Sequence, residues 1–242
     1  MGAMRALKVL IFASLTLPLF LLAQDTSTTV RLADHSDWWS ILNENFYWPI
    51  DKPASNELSA DNFEIAGIKL EHDPTFRSVK GKFGRAVSAT RGAASSGRYQ
   101  VCYVSQDKPS VRMIFEESEL NLTFYLFEEG QSWNGQALCG ESTQVTSALR
   151  TTSGLGLGMS AAEVERVLGK ADISSPTRLV YQREVEKHTP DDKLADLRTE
   201  HAEMSEKDFH ESYDSYELEL YIEARLTDGK VTYWAVSKAE SY

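Results

Sequence analysis

The spacing of apolar residues along this chain changes from strand-like to helical twice, in the same order. Each time, two apolar residues at alternate positions are followed by three at helical spacing and then by a glycine. These residues are Ile68, Leu70, Phe76, Val79, Phe83 and Gly84 in the first copy, and Leu155, Leu157, Ala161, Val164, Leu168 and Gly169 in the second. The pattern predicts a short extended segment and then an amphipathic helix that ends at glycine, once in each half.

Each predicted helix also has a start signal. Thr75 and Ser160 stand at the two N-cap positions, 85 residues apart, and Val79 and Val164 keep the same offset. Ser160 and Glu163 have the capping-box spacing, in which a hydroxyl and a carboxylate bind each other's backbone amides. Similarity at one constant offset indicates that the chain contains the same unit twice.

Stretches of strand-like alternation follow each predicted helix. In the first half they cover 99–104, 111–115 and 122–127, and in the second half 178–181, 216–226 and 230–236. Asp228-Gly229 between the last two stretches is a strong hairpin-turn signal. We therefore expect an α+β fold of two tandem small units, each a short helix packed on an antiparallel sheet, with boundaries at 63–150 and 151–242.

The second copy resembles a known structural unit. The residues GLGLGMSAAEVERVLGKA at 154–171, followed by strands, resemble the small unit of the BamE/SmpA outer-membrane lipoproteins. A tandem pair of such units is similar to the β-lactamase inhibitor protein family. The resemblance covers 154–181 and 216–238, and more faintly 67–127, and it implies a fold rather than an activity. The chain differs from the lipoproteins in having no cysteine near the predicted export cleavage site to carry a lipid.

Residues 1–23 have the pattern of a secretory signal peptide. Arg5 and Lys8 precede an apolar run from Val9 to Leu22, which is shorter than the ~20 residues that a membrane-spanning helix needs, and Ala23 precedes a polar stretch. We expect cleavage near Ala23 and export to the periplasm or the extracellular space. No second apolar stretch predicts a transmembrane segment.

The charge composition argues against one class of partner. Residues 1–23 contain two bases and no acid, so their removal takes the net charge from −11 to −13. Such a negative chain repels nucleic-acid phosphates, so we expect no nucleic-acid partner. The distribution is uneven: 74–106 contains six bases and no acid, whereas 183–223 contains fourteen acids and five bases.

The two cysteines predict a disulfide. In an exported chain, Cys102 and Cys139 are expected to bond to each other, and closing a loop of that length would stabilise the fold by about 4 kcal/mol. Neither cysteine has a nearby His or a Cys-x-x-Cys spacing that would indicate a metal or redox site.

Two segments lie outside the repeat. Residues 24–62 contain Trp38, Trp39 and Trp48, which either form an aromatic platform for sugar or peptide, or cover the sheet of the first unit. Residues 189–209 predict an inserted acidic helix in the second unit, in which Leu194, Leu197, His201 and Met204 recur at helical spacing. This apolar stripe either docks on its own chain or binds a partner.

No complete catalytic, cofactor or metal motif is present. Gly154-x-Gly156-x-Gly158 lacks the third glycine of the dinucleotide fingerprint, and Ser105-x-x-Lys108 lacks the other elements of serine–lysine enzymes. His188, His201 and His210 share no helical face, and Glu116, Glu117 and Glu119 predict a surface turn.

Two functional hypotheses follow. The first is an exported, non-catalytic protein that binds another cell-envelope or secreted protein, with Leu194, Leu197, Met204, Trp38, Trp39 and Trp48 as candidate contacts. The second is a carbohydrate- or cell-wall-active enzyme that uses the tryptophans and a pair of carboxylates. The partner and the oligomeric state stay open.

Overall fold

A computed structural model describes residues 29–31, 57–70, 75–91, 98–118, 121–128 and 139–242. The predicted signal peptide and the candidate contacts Trp38, Trp39 and Trp48 lie outside the described residues. The strands are β1 (Thr29–Arg31), β2 (Glu64–Ile65), β3 (Ile68–Lys69), β4 (Ser88–Arg91), β5 (Arg98–Ser105), β6 (Val111–Glu117), β7 (Asn121–Glu128), β8 (Cys139–Ser142), β9 (Ile173–Ser174), β10 (Arg178–His188), β11 (Ser215–Thr227) and β12 (Lys230–Ser241). The α-helices are α1 (Thr75–Phe83), α2 (Ala161–Leu168), α3 (Asp191–Glu200) and α4 (Glu206–Tyr213).

One large sheet dominates the structure. Its strands run in the order β1-β4-β5-β6-β7-β12-β11-β10-β9, and β8 pairs with β5. All neighbours from β4 to β9 are antiparallel, whereas β1 and β8 join in parallel. The mixed helix-and-sheet class is confirmed, but both halves contribute to one continuous sheet through the β7–β12 pair, and their division into tandem units stays a prediction.

The main core lies between the sheet and the first two helices. Val79 of α1 and Val164 of α2 are completely buried in one apolar cluster, together with residues from β5 to β12. We call this side of the sheet the helix face. The other side, the opposite face, carries a smaller apolar cluster that includes Ile114, Tyr125 and Phe127. Alternate residues of each strand supply the two faces, because side chains point up and down in turn along a strand.

In the second copy the helix begins and ends where the sequence predicts, whereas in the first copy α1 already includes Thr75, the residue predicted as its N-cap. The Ser160 hydroxyl accepts from the Glu163 backbone amide at 3.3 Å, and the Glu163 carboxylate accepts from the Ser160 amide at 2.7 Å. Gly169 closes α2 with a φ of +81°, and Gly84 follows α1 with a φ of +98°, a region that glycine occupies without strain. These signals fix where α2 starts and where both helices stop.

The predicted single helix over 189–209 is corrected by the structure, which has two helices there. α3 ends at Glu200, with His201 as its C-cap, and the Ser205 hydroxyl caps the start of α4 by accepting from the Asp208 amide at 3.2 Å. A new N-cap within the segment therefore interrupts the helix. Leu194 and Leu197 lie on α3 and Met204 lies in the connecting turn, so the three do not share one helical stripe.

The predicted disulfide is confirmed. β8 pairs in parallel with β5 so that Cys139 stands directly opposite Cys102, and the two sulfurs are bonded. The bond links the strand after the long β7–β8 connection to the interior of the sheet. Within the described ranges, none of the helices combines the length and apolar character needed to cross a bilayer.

Candidate functional site

Four glutamates stand side by side on the opposite face where β10 and β11 approach the insert. The strand register places Glu184 across from Glu219 and Glu186 across from Glu217. Alternation along each strand puts all four on one side of the sheet. We call Glu184, Glu186, Glu217 and Glu219 the glutamate cluster.

Like charges stand directly opposite each other in the glutamate cluster. Side chains directly opposite each other on antiparallel strands have Cβ atoms about 5 Å apart, and like charges in that position destabilise the sheet. Glu184 and Glu186 are exposed and Glu217 and Glu219 are half-buried, so water screens the repulsion without removing it. The Ser215 hydroxyl donates to the Glu186 carboxylate at 2.9 Å.

The insert that contains α3 and α4 is also acidic, and it lies at the end of the sheet, where Lys193 of α3 contacts Glu240 and Tyr216 on the helix face. It leaves the sheet at the end of β10 and returns at the start of β11, where the Thr189 amide donates to the Asp214 carbonyl at 2.9 Å. Its exposed carboxylates are those of Asp191, Asp192, Asp196, Glu200, Glu203, Glu206, Asp208 and Glu211. The glutamate cluster and these eight side chains together are the acidic surface.

Aromatic side chains hold the insert against the end of the sheet. Phe209 of α4 is buried, and the Tyr213 ring lies 5.7 Å from the ring of Tyr242 at the C-terminus. Lys193 of α3 donates to the Glu240 carboxylate at 2.8 Å and lies over the Tyr242 ring. Partial burial alone would lower the pKa of Lys193, but its hydrogen bonds to Glu240 and Tyr242 raise it.

The predicted apolar contacts play a smaller part in this docking. α3 has no fully buried residue, and Leu194, Leu197 and Met204 are all half-buried. Sequence analysis missed Tyr213, which packs on Tyr242, and Phe209, which packs on Tyr213 and Arg198 inside the insert, although Phe209 and Tyr213 are four residues apart and so lie on one side of a helix. The three predicted residues keep part of their apolar surface accessible within the acidic surface.

Local backbone geometry explains the glycine-rich stretch before α2. The helix start that follows it is not free to bind an anion. Gly154 and Gly158 both have positive φ, and the Arg150 side chain crosses Gly156 so closely that a Cβ there would lie 2.0 Å from its Cδ. Arg150 then donates to the Leu157 carbonyl at 2.9 Å. The first turn of α2 is already capped by the carboxylate of Glu163, which would repel a phosphate.

Ser105 and Lys108 each have a different side-chain partner and do not form a catalytic pair. Lys108 pairs with Glu128 at 2.7 Å. The Ser105 hydroxyl donates to Asp107, which also accepts from the Ser147 hydroxyl at 2.7 Å. Asp107 thus joins the β5–β6 turn to the loop at 147, and Lys108, paired with Glu128, is not positioned to act as a base for Ser105.

The histidines and the predicted glutamate turn do not assemble a reactive site. His201 contacts the Tyr213 hydroxyl at 3.0 Å and His210 contacts Asp214 at 2.6 Å, while His188 is exposed at the end of β10. Over the described ranges, no three His, Cys, Asp or Glu side chains are grouped to hold a metal ion.

Glu116 and Glu117 lie on β6, and Glu119 lies outside the described residues. Because they are consecutive on a strand, Glu116 and Glu117 point to opposite faces of the sheet. Glu116 is buried, and its carboxylate accepts from the side-chain amide of Gln100 at 2.5 Å. This pair therefore does not face across a common cleft, as two glycosidase carboxylates must.

No protein-family model, curated protein or solved structure matches this chain. The resemblance to the BamE/SmpA unit therefore stays a prediction.

Proposed function

We propose that this protein is an exported, non-catalytic binding protein whose acidic surface takes a basic segment of another envelope or secreted protein. The observation that carries the proposal is the glutamate cluster, in which two like-charged pairs stand directly opposite each other on one sheet face. A cationic partner would turn this repulsion into attraction, because complementary charge favours association of the matching surface and disfavours others.

The surroundings of the cluster support a protein partner rather than a small ion. The exposed carboxylates of α3 and α4 extend the negative field over a broad area, and Leu194 and Leu197 offer apolar surface inside it. An interface of this kind suits a basic, amphipathic segment that contributes both cations and apolar side chains. The disulfide favours an oxidising compartment, which agrees with the predicted export.

Local geometry also supports the tandem organisation implied by the BamE/SmpA-like pattern. α1 is followed by β4, β5, β6 and β7, and α2 by β9, β10, β11 and β12, with the last strand of each series at the centre of the sheet. Tyr103 donates to the Gly84 carbonyl at 2.9 Å and Tyr181 donates to the Gly169 carbonyl at 3.1 Å. We infer that each half is a copy of one unit, and that the insert is an addition to the second.

Binding of a defined probe tests the function. The probe is a synthetic amphipathic peptide of alternating Lys and Leu blocks, titrated at about 0.15 M salt, with a Glu-for-Lys peptide for comparison. We expect the double variant Glu184→Gln/Glu219→Gln to weaken binding of the basic peptide at least tenfold, because it removes one of the two opposed pairs.

The control removes the same charge elsewhere. Glu141→Gln/Asp228→Asn takes away two exposed carboxylates outside the acidic surface, so its net charge equals that of the test variant. Equal weakening by both variants would mean that only net charge matters, and absence of peptide binding to the parent protein would reject the acidic surface as a docking site.

A further inference from the structure

A cleft of about 540 Å³ opens on the helix face, between the sheet and the segment that precedes α1. Its floor comes from β10, β11 and β12, and its other wall comes from residues 57–70. It lies on the side of β10 and β11 away from the glutamate cluster, so the sheet separates it from those four carboxylates. Its volume is within the range of pockets that hold small molecules.

The middle of the cleft is apolar. Leu218 and Leu220 of β11 each keep 8% of their surface exposed, and Val185 of β10 stands directly opposite Leu218. From the other wall, Leu58, Phe63 and Leu70 face the same space. These side chains together form a channel suited to an alkyl chain, because burying such a chain removes apolar surface from water.

The charges of the cleft are divided between its two walls. Arg183, Lys187 and Lys238 project from the sheet, and the register places Leu220 between Arg183 and Lys238. Glu57, Asp61 and Glu64 project from the opposite segment, which also contributes Lys69. The cleft thus has a mostly positive wall and a mostly negative wall on either side of an apolar centre.

Most of the charged side chains that line the cleft do not form ion pairs with one another. Arg183 is held by Asp172 at 2.6 Å, and Lys238 lies 3.4 Å from Glu240. By contrast, within the part of the chain that the structure describes, no ion pair involves Lys69, Lys187 or any of the three acids of the cleft. The two walls therefore face each other with charges available to a ligand.

We propose that this cleft binds a zwitterionic amphiphile with a single alkyl chain, of the lysophospholipid type. The alkyl chain lies over Leu218 and Leu220, the phosphate faces Lys187 and Lys238, and the ammonium group faces Asp61 and Glu64. A purely anionic head would meet the three carboxylates, and a purely cationic head would meet Lys69 and Lys187, so both are disfavoured relative to a head that carries both charges.

Calorimetric titration with three amphiphiles of equal chain length tests the proposal. The probes are dodecylphosphocholine, dodecanoate and dodecyltrimethylammonium, each kept below its micelle concentration. We expect dodecylphosphocholine to bind at least tenfold more tightly than either singly charged probe. Tighter or equal binding of dodecanoate or of dodecyltrimethylammonium would overturn the assignment of the head group, and the absence of binding by all three would overturn the site.

Two variants locate the binding. Leu218→Trp fills the apolar centre and should weaken dodecylphosphocholine binding at least tenfold. Lys187→Glu changes an exposed side chain, so it should fold normally, and it should weaken dodecylphosphocholine while strengthening dodecyltrimethylammonium. Lys207→Glu on the exposed side of α4 is the matched control and should change neither. If Lys187→Glu behaves like Lys207→Glu, the ligand binds elsewhere and the proposal fails.

Discussion

Single polar side chains decide how several loops of this protein meet. Asp107 accepts hydrogen bonds from Ser105 and Ser147 and thereby joins two segments that are 40 residues apart. These donors, Ser105 first and Ser147 second, lower the pKa of Asp107 to about 2. The ionised carboxylate accepts these bonds more strongly than the protonated acid does, so this link between the loops weakens as the pH falls towards that value.

The linkage predicts a loss of stability in acid. Because the folded pKa of Asp107 lies below its unfolded value of 3.8, its contribution is complete above that value and disappears as the pH falls towards about 2. Asp107→Asn should therefore lower the Tm at pH 6, and the difference from the parent protein should shrink between pH 4 and pH 2. Thermal unfolding followed by circular dichroism at several pH values checks this.

Ser147→Ala is the companion variant. It removes one donor and should reduce the acid dependence without abolishing it, since Ser105 still donates. A difference in Tm that stays constant from pH 6 to pH 2 for Asp107→Asn would show that the ionised form of this carboxylate has no special role.

At the scale of helices and strands, the same contact occurs at the end of α1 and of α2. Tyr103 and Tyr181 come from strands that pack under these helices, and both rings are fully buried. Burial raises the pKa of each phenol, so both stay protonated and act as hydrogen-bond donors to a glycine carbonyl. Each tyrosine thus ties its helix to the sheet.

This pair gives a matched prediction for the tandem units. Tyr103→Phe and Tyr181→Phe should each lower the free energy of unfolding by about 1 kcal/mol, because each removes one buried hydrogen bond while it keeps the ring. Tyr99→Phe is the control, since Tyr99 is 43% exposed. Urea denaturation measures all three, and a cost confined to one of the two buried positions would argue against equivalent units.

For the whole molecule, the two ends of the sheet differ in charge. The base-rich segment 74–106 supplies α1, β4 and β5 near one edge, and the acid-rich segment 183–223 supplies much of β10, β11 and the whole insert near the other. Such an arrangement produces a field along the sheet, which steers a charged partner to one end.

Steering predicts a strong dependence of association on salt. At about 0.1 M ionic strength the screening length is about 10 Å, and at about 1 M it is about 3 Å. The rate at which the basic peptide associates should fall at least tenfold over this range, while the dissociation rate changes less. Stopped-flow fluorescence with a labelled peptide measures both rates, and an association rate independent of salt would contradict an electrostatic docking surface.

Local signals predicted much of the fold correctly, for reasons that can be stated residue by residue. The capping pair Ser160 and Glu163 defines the start of α2, and Gly84 and Gly169 define helix ends by their positive φ. Asp228-Gly229 forms the turn between β11 and β12. Each of these features depends on contacts within a few residues, which a linear pattern records directly.

Features that depend on pairing between distant segments could not be predicted from the sequence. The spacing of Leu194, Leu197 and Met204 suggested one helix, but Ser205 begins a second, and the docking of Tyr213 depends on Tyr242, which follows β12. The alternation of glutamates along β10 and β11 was readable, yet their opposition required the strand register.

Hydrophobic periodicity and capping residues were therefore sufficient for α1, α2, the long strands, the mixed class and the choice of cysteine partner, because these follow from local geometry and from having two cysteines. The joining of β7 to β12 into one sheet, the cross-strand glutamate pairs and the charged cleft came from the folded chain alone. All three depend on which strands become neighbours and in which register, and hydrogen bonds between remote segments, rather than neighbours in the sequence, set that choice.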